Sequence, residues 1–199
     1  MEVSAMFLTD WLIPYILEPL AVLAGLVSIW FLKNEKLIGF PLGILNVFLY
    51  VFIFFATRLY ANAAINAYFF FMQIYGWYNW ASTRSDGQAL AVTRTSGKEW
   101  LLYVPLIFVL FLVIRYVLVS FTEGQAPTLD AFTTAIYMIA QLMISRKKLE
   151  NWLLWIVSDL IMVVLCLSQA LWITSFQYAV FTIIAFLGYR EWRLKMVKA

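Results

Sequence analysis

Long apolar runs recur along the chain, among them V-L-A-G-L-V-S-I-W-F-L at 22–32 and Y-V-P-L-I-F-V-L-F-L-V-I at 103–114. No other feature narrows the fold as much. Inside a bilayer no water pairs the peptide groups, so only helices and closed barrels can span it. Barrel strands alternate apolar and polar residues, and these runs do not. Helical spans are therefore expected. Composition agrees: 64% of residues are hydrophobic and 13% charged, against ~45–50% and ~25% in soluble domains.

An all-α integral membrane protein of seven transmembrane helices is expected, with spans near 15–32, 37–55, 60–80, 99–120, 129–145, 151–171 and 173–192. No length remains for a soluble ATPase or kinase domain. Glu18-Pro19 reads as a helix start, a carboxylate at the positive end followed by a proline in the first turn. Residues 81–98 form the longest polar loop and 121–128 a second. Glu2 and Asp10 stand where a cleavable signal would carry basic residues, so none is expected. With no histidine and Cys166 as the one cysteine, neither a disulfide framework nor a metal or other cofactor is expected.

Seven spans place twelve of the fourteen basic residues on one side, leaving only Arg58 and Arg115 for the other. By the positive-inside rule the N-terminus is outside and the C-terminus cytoplasmic. Because the basic residues follow loop topology, the net charge of +3 does not point to nucleic acid.

Slid against itself by 112 residues, the chain repeats. Gly76-Trp77-Tyr78-Asn79-Trp80 falls on Gly188-Tyr189-Arg190-Glu191-Trp192, Leu59-Tyr60 on Leu171-Trp172, Lys36 on Lys148, Ile44 on Ile156 and Glu18 on Asp130. Two three-helix units in one ungapped register follow. Three spans end opposite to where they began, so a second copy in the same orientation needs one linker span. The expected plan is 3+1+3: a first bundle at 1–80 with its N-terminal segment, a cytoplasmic loop at 81–98, a linker helix at 99–120, and a second bundle at 129–199 ending in a basic cytoplasmic tail. Transporters built on parallel repeats bind substrate near the midplane between the repeats, and rocking of the bundles gives alternating access.

Asp159 is the sharpest candidate for a site. A carboxylate at the centre of a span costs ~2.5–3.5 kcal/mol on insertion scales, so it faces a partner or a wet cavity. Trp152 and Trp155 share its face of the helix, and indole faces attract a flat cation. The competing reading is a carboxylate satisfied structurally by a basic residue, Ser158 or Asn46. Gln73 and Trp77 form a stripe on the third span, continued by Trp80, which also suits an interfacial aromatic belt. Asn46 with Tyr50, and Tyr137 with Gln141, pair at one-turn spacing and can either line a site or glue helices. Gln177 and Tyr178 are candidates for an outer gate. No nucleophile with a base partner and no phosphate-binding glycine loop occurs, so an enzyme is not expected.

At G-W-Y-N-W (76–80), K-K-L-E-N-W-L-L-W (147–155) and G-Y-R-E-W (188–192) the chain resembles the PnuC family of bacterial vitamin transporters. The resemblance runs from Glu18 to Trp192. It implies a fold similar to SWEET sugar transporters, a homotrimer in the bacterial inner membrane, and facilitated diffusion of an unphosphorylated vitamin that a cytoplasmic kinase then traps by phosphorylation. Family substrates include nicotinamide riboside and thiamine, both cationic aromatic rings that suit an aspartate beside indoles. Some riboside transporters of the family carry Asn where Asp159 stands, a departure that raises thiamine. Two other readings compete: import coupled to protons or sodium through Asp159, and a membrane scaffold without a pore.

Overall fold

A computed structural model describes residues 8–82, 90–121 and 126–198. Arg84, Gly87 and the rest of 83–89, residues 122–125 of the second loop, and Glu2 lie outside them. Among the described residues there are seven α-helices: α1 (Glu18–Lys33), α2 (Gly39–Ala56), α3 (Tyr60–Ala81), α4 (Gly97–Phe121), α5 (Pro127–Ser145), α6 (Asn151–Ser168) and α7 (Trp172–Lys198). α1, with the residues from Tyr15, and α2, α4, α5 and α6 are long and apolar enough to cross a membrane. α3 and α7 are long enough but more polar, because Asn62, Asn66, Gln73, Asn79, Gln177 and several Tyr and Trp dilute their apolar residues.

Some boundaries differ from the sequence reading. Glu18-Pro19 does not begin helical structure, because a π-helical segment, Leu8–Leu17, runs straight into α1. α7 continues beyond Trp192 to Lys198. The added residues Arg193, Leu194, Lys195, Met196, Val197 and Lys198 are mostly good helix formers, and the fully buried Trp192 anchors the turn they grow from.

The chain divides into two compact units, at 1–90 and 91–199. In the first, α2 packs against both α1 and α3. Ser28 Oγ donates to the Gly39 carbonyl at 2.7 Å, which ties the end of α1 to the start of α2. In the second, α6 packs against both α5 and α7, and α4 lies on α5 through Tyr103, Ile139 and Met143. α4 opens on a capping box, Ser96 N donating to Glu99 Oε2 at 2.8 Å and Glu99 N to Ser96 Oγ at 3.3 Å. Residues 90–96 are not merely a polar connection: Thr93 exchanges backbone bonds with Lys147 and Leu149 in the turn before α6.

The 112-residue register extends to the backbone. α2 and α6 start and end at equivalent positions, as do the ends of α1 and α5 and the starts of α3 and α7. Among the described residues four non-glycine residues adopt positive φ, and they form two equivalent pairs: Glu35 (57°) with Lys147 (51°), and Arg58 (62°) with Ala170 (58°). Each closes a helix in the same way, the next amide reaching back to a carbonyl: Lys36 to Phe31, Leu59 to Phe54, Lys148 to Met143 and Leu171 to Cys166. This is the left-handed C-terminal motif in which the last orphan carbonyls find donors. It also explains why α6 stops at Ser168, short of the 171 expected.

The repeated glycine–tryptophan motif has a packing role. Trp80 meets Phe40 edge to face (4.9 Å, 88°), and Trp192 meets Trp152 in the same way (5.3 Å, 84°). A Cβ at Gly188 would lie 2.7 Å from the Trp152 ring, so the glycine is the floor on which that ring rests. Trp80 is therefore a buried packing residue and not part of an interfacial belt.

Candidate functional site

The second unit assembles the tightest polar cluster of sequence candidates. Asp159 is 2% exposed, and the Tyr137 hydroxyl donates to its Oδ1 at 2.7 Å. Tyr137 in turn stacks on Trp155, ring centroids 5.0 Å apart and planes tilted by 33°. Tyr137 and Asp159 lie equally far on either side of Lys148 in the turn between α5 and α6. In an antiparallel hairpin such residues share a depth. Asp159 is eight residues into α6 at 1.5 Å each, or ~12 Å along the axis, close to the middle of a ~30 Å hydrocarbon layer.

The structural partners considered for Asp159 do not fill that role. Ser158 Oγ donates to the Leu154 carbonyl at 2.9 Å, and Asn46 Nδ2 to the Ala21 carbonyl at 2.7 Å. Arg115 Nε donates to Thr128 Oγ1 at 3.2 Å. The carboxylate therefore rests on a neutral phenol. Gln141, one turn along α5 from Tyr137, is buried, and its Nε2 has no hydrogen-bond partner among the described residues. Trp152 is turned instead toward α7, sealed by Gly188 and Trp192, its Nε1 also without a partner.

The first unit places its amides on glycines. Asn46 lies across Gly25, where a Cβ would come within 2.8 Å of Nδ2, and Gln73 lies across Gly43, where one would come within 2.6 Å of Nε2. Gln73 is buried and its Oε1 lacks a hydrogen-bond partner among the described residues. Tyr50 stacks on Phe54 (5.5 Å, 19°). Trp77, one turn along α3 from the buried Gln73, is 42% exposed.

In the 112-residue register, Gly25 and Asn46 correspond to Tyr137 and Ser158, and Gly43 and Gln73 to Trp155 and Ala185. At both positions where the first unit sets an amide on a glycine, the second has an aromatic residue in place of the glycine and a small residue in place of the amide. Gln177 and Tyr178 are half-buried near the start of α7, with Tyr178 6.4 Å from Phe181. Sequence reasoning missed the Tyr137–Asp159 bond, because it paired residues within helices. Their equal distance from the turn was the signal available.

A family model described as nicotinamide mononucleotide transporter matches residues 15–194. The nicotinamide riboside transporter PnuC of Escherichia coli (strain K12) is 28% identical over 201 residues, spanning 88% of this chain and 84% of that protein. The nicotinamide riboside transporter PnuC of Neisseria mucosa is 26% identical over 152 residues, 73% of this chain and 57% of the relative. Among solved structures, a crystal structure of the vitamin B3 transporter PnuC matches with TM-score 0.69 and 21% identity, covering 98% of this chain and 88% of that one. This last likeness is one of fold.

Proposed function

The chain belongs to the nicotinamide mononucleotide transporter family, and on that premise we propose that it carries a cationic, unphosphorylated vitamin, nicotinamide riboside or thiamine, across the bacterial inner membrane. It is a multi-pass membrane transporter of the PnuC kind and not an enzyme. The observation that carries the substrate reading is the Asp159–Tyr137–Trp155 cluster. A buried carboxylate bonded to a phenol attracts a cation, and the adjoining aromatic faces add ~0.5–2 kcal/mol for a flat one. The same cluster disfavours a phosphate, because the like charge of Asp159 would repel it. The names of the relatives favour nicotinamide riboside, and Asp159 itself suits thiamine equally. Gln73 and Gln141, each with an unpaired buried amide atom, are suited to substrate hydroxyls or an aminopyrimidine.

Transport is facilitated diffusion, with a cytoplasmic kinase trapping the vitamin as its phosphate. The seven helices all span in a 3+1+3, SWEET-like plan, with α4 as the linker, N-terminus outside and C-terminus inside, and three chains forming a trimer. The shared register of the two units and the basic residues clustered on one side support this plan. Tryptophan fluorescence of the purified protein, titrated in parallel with thiamine and nicotinamide riboside, tests the substrate. Saturable quenching by one of them is expected through Trp155. The absence of quenching by either refutes the reading and leaves a scaffold.

A further inference from the structure

A second polar feature lies at the opposite end of α6 from its C-terminus, away from the Asp159 cluster. A cavity of about 290 Å³ is lined by Arg94, Leu149, Arg193 and Met196. Two guanidiniums on one cavity repel each other unless an anion joins them, and among the described residues neither has a carboxylate partner. Nearby carboxylates are engaged: Glu150 Oε2 accepts from Thr95 N and Oγ1 at 2.7 and 2.8 Å, and Glu99 pairs with Lys148 at 2.7 Å.

Both arginines also grow from immobilised backbone. Arg94 is flanked by Thr93, whose N–H and C=O bond Lys147 and Leu149, and by Thr95, which is held by Glu150. Arg193 follows Trp192, which is fully buried against Trp152. A fixed backbone on each side limits where the two guanidiniums can reach, and their forked donors match phosphate oxygens. Leu149 and Met196 give the cavity an apolar wall suited to the carbon of an ester. The cavity sits where α6 enters its span, hence at the membrane–water boundary.

We propose that this cavity is a binding site for a phosphate ester, held between Arg94 and Arg193 with its carbon portion against Leu149 and Met196. The chemistry is shared by an anionic lipid headgroup and a free phosphate monoester. The experiment is a thermal-shift titration of the full-length protein in detergent with dioctanoyl phosphatidylglycerol, glycerol 3-phosphate and, as the phosphate-free reference, dioctanoylglycerol. A saturable rise in Tm with phosphatidylglycerol alone assigns a lipid headgroup, and a rise with glycerol 3-phosphate assigns a free ester. Arg94→Gln and Arg193→Gln each weaken that binding ~tenfold or more, the scale of a lost charged hydrogen bond. Met196→Trp fills the cavity without changing charge and abolishes binding, whereas Lys36→Gln, in the first unit, leaves it unchanged. No saturable shift with either phosphate, variants that bind like the parent, or an equal loss in Lys36→Gln overturns the proposal.

Discussion

At the scale of single residues, Asp159 and Tyr137 can be separated by what each contributes. Asp159→Asn keeps the volume and an oxygen for the Tyr137 hydroxyl but removes the charge. The affinity for a cationic vitamin is expected to fall ~10–100-fold, in line with ~1.5–3 kcal/mol for a charge-assisted contact, while a neutral analogue loses little. Parallel fluorescence titrations of parent and variant with the cation and its neutral analogue check this, and equal losses for both ligands contradict it. Tyr137→Phe preserves the ring against Trp155 but deletes the 2.7 Å bond. It leaves a buried carboxylate without a donor, a desolvation cost of ~1–3 kcal/mol. A lower melting temperature is expected in Tyr137→Phe but not in Asp159→Asn, because the amide is cheaper to bury than the charge. A differential scan of the two proteins in the same detergent reads the contrast directly.

At the scale of elements, the glycines show which helix contacts yield and which do not. An alanine Cβ at Gly43 meets first the amide end of Gln73, at 2.6 Å. A flexible side chain can swing aside, so Gly43→Ala is expected to fold nearly as well as the parent while displacing the Gln73 amide and weakening substrate binding. At Gly188 the same methyl meets the rigid, buried Trp152 ring at 2.7 Å. Overpacking there is expected to cost ~1–3 kcal/mol. Melting temperature and ligand affinity measured together should thus move apart in Gly43→Ala and fall together in Gly188→Ala. The helix ends give a change of opposite sign. Ala170 closes α6 at φ 58°, where a Cβ costs ~1–2 kcal/mol that glycine avoids. Ala170→Gly is therefore expected to raise the melting temperature. A fall would mean that the left-handed turn is not the conformation in the membrane.

At the scale of the whole molecule, much was legible because membrane physics leaves few choices. Apolar runs gave the helices, and the ungapped offset reappears in the bounds of α2 and α6, although the spans expected there, 37–55 and 151–171, did not share it. The same offset pointed to Gly76–Trp80 and Gly188–Trp192, but not to the packing of Trp80 on Phe40 and of Gly188 and Trp192 on Trp152, since that depends on which ring lies across the interface. Asp159 stood out as a charge in an apolar run. Its partner did not, because tyrosine is common in this chain and only the hairpin brings Tyr137 to its depth. The 90–96 clasp was read as loop, as its bonds reach residues some 55 positions away. These elements together frame the question of what drives transport. A transporter with a deep carboxylate bonded to a phenol has two uses for it: holding a cationic vitamin, or carrying a coupling ion. The first predicts that proteoliposomes preloaded with unlabelled vitamin exchange it for labelled vitamin with no proton or sodium gradient. It also predicts that net accumulation requires an enclosed kinase and ATP. Under the second, accumulation follows an imposed ion gradient without the kinase, and Asp159→Asn abolishes that coupling while leaving exchange. Gradient-free counterflow that weakens in Asp159→Asn through a higher half-saturation concentration, with the maximal rate retained, is the expected result. Gradient-driven accumulation in the absence of kinase would reverse the assignment.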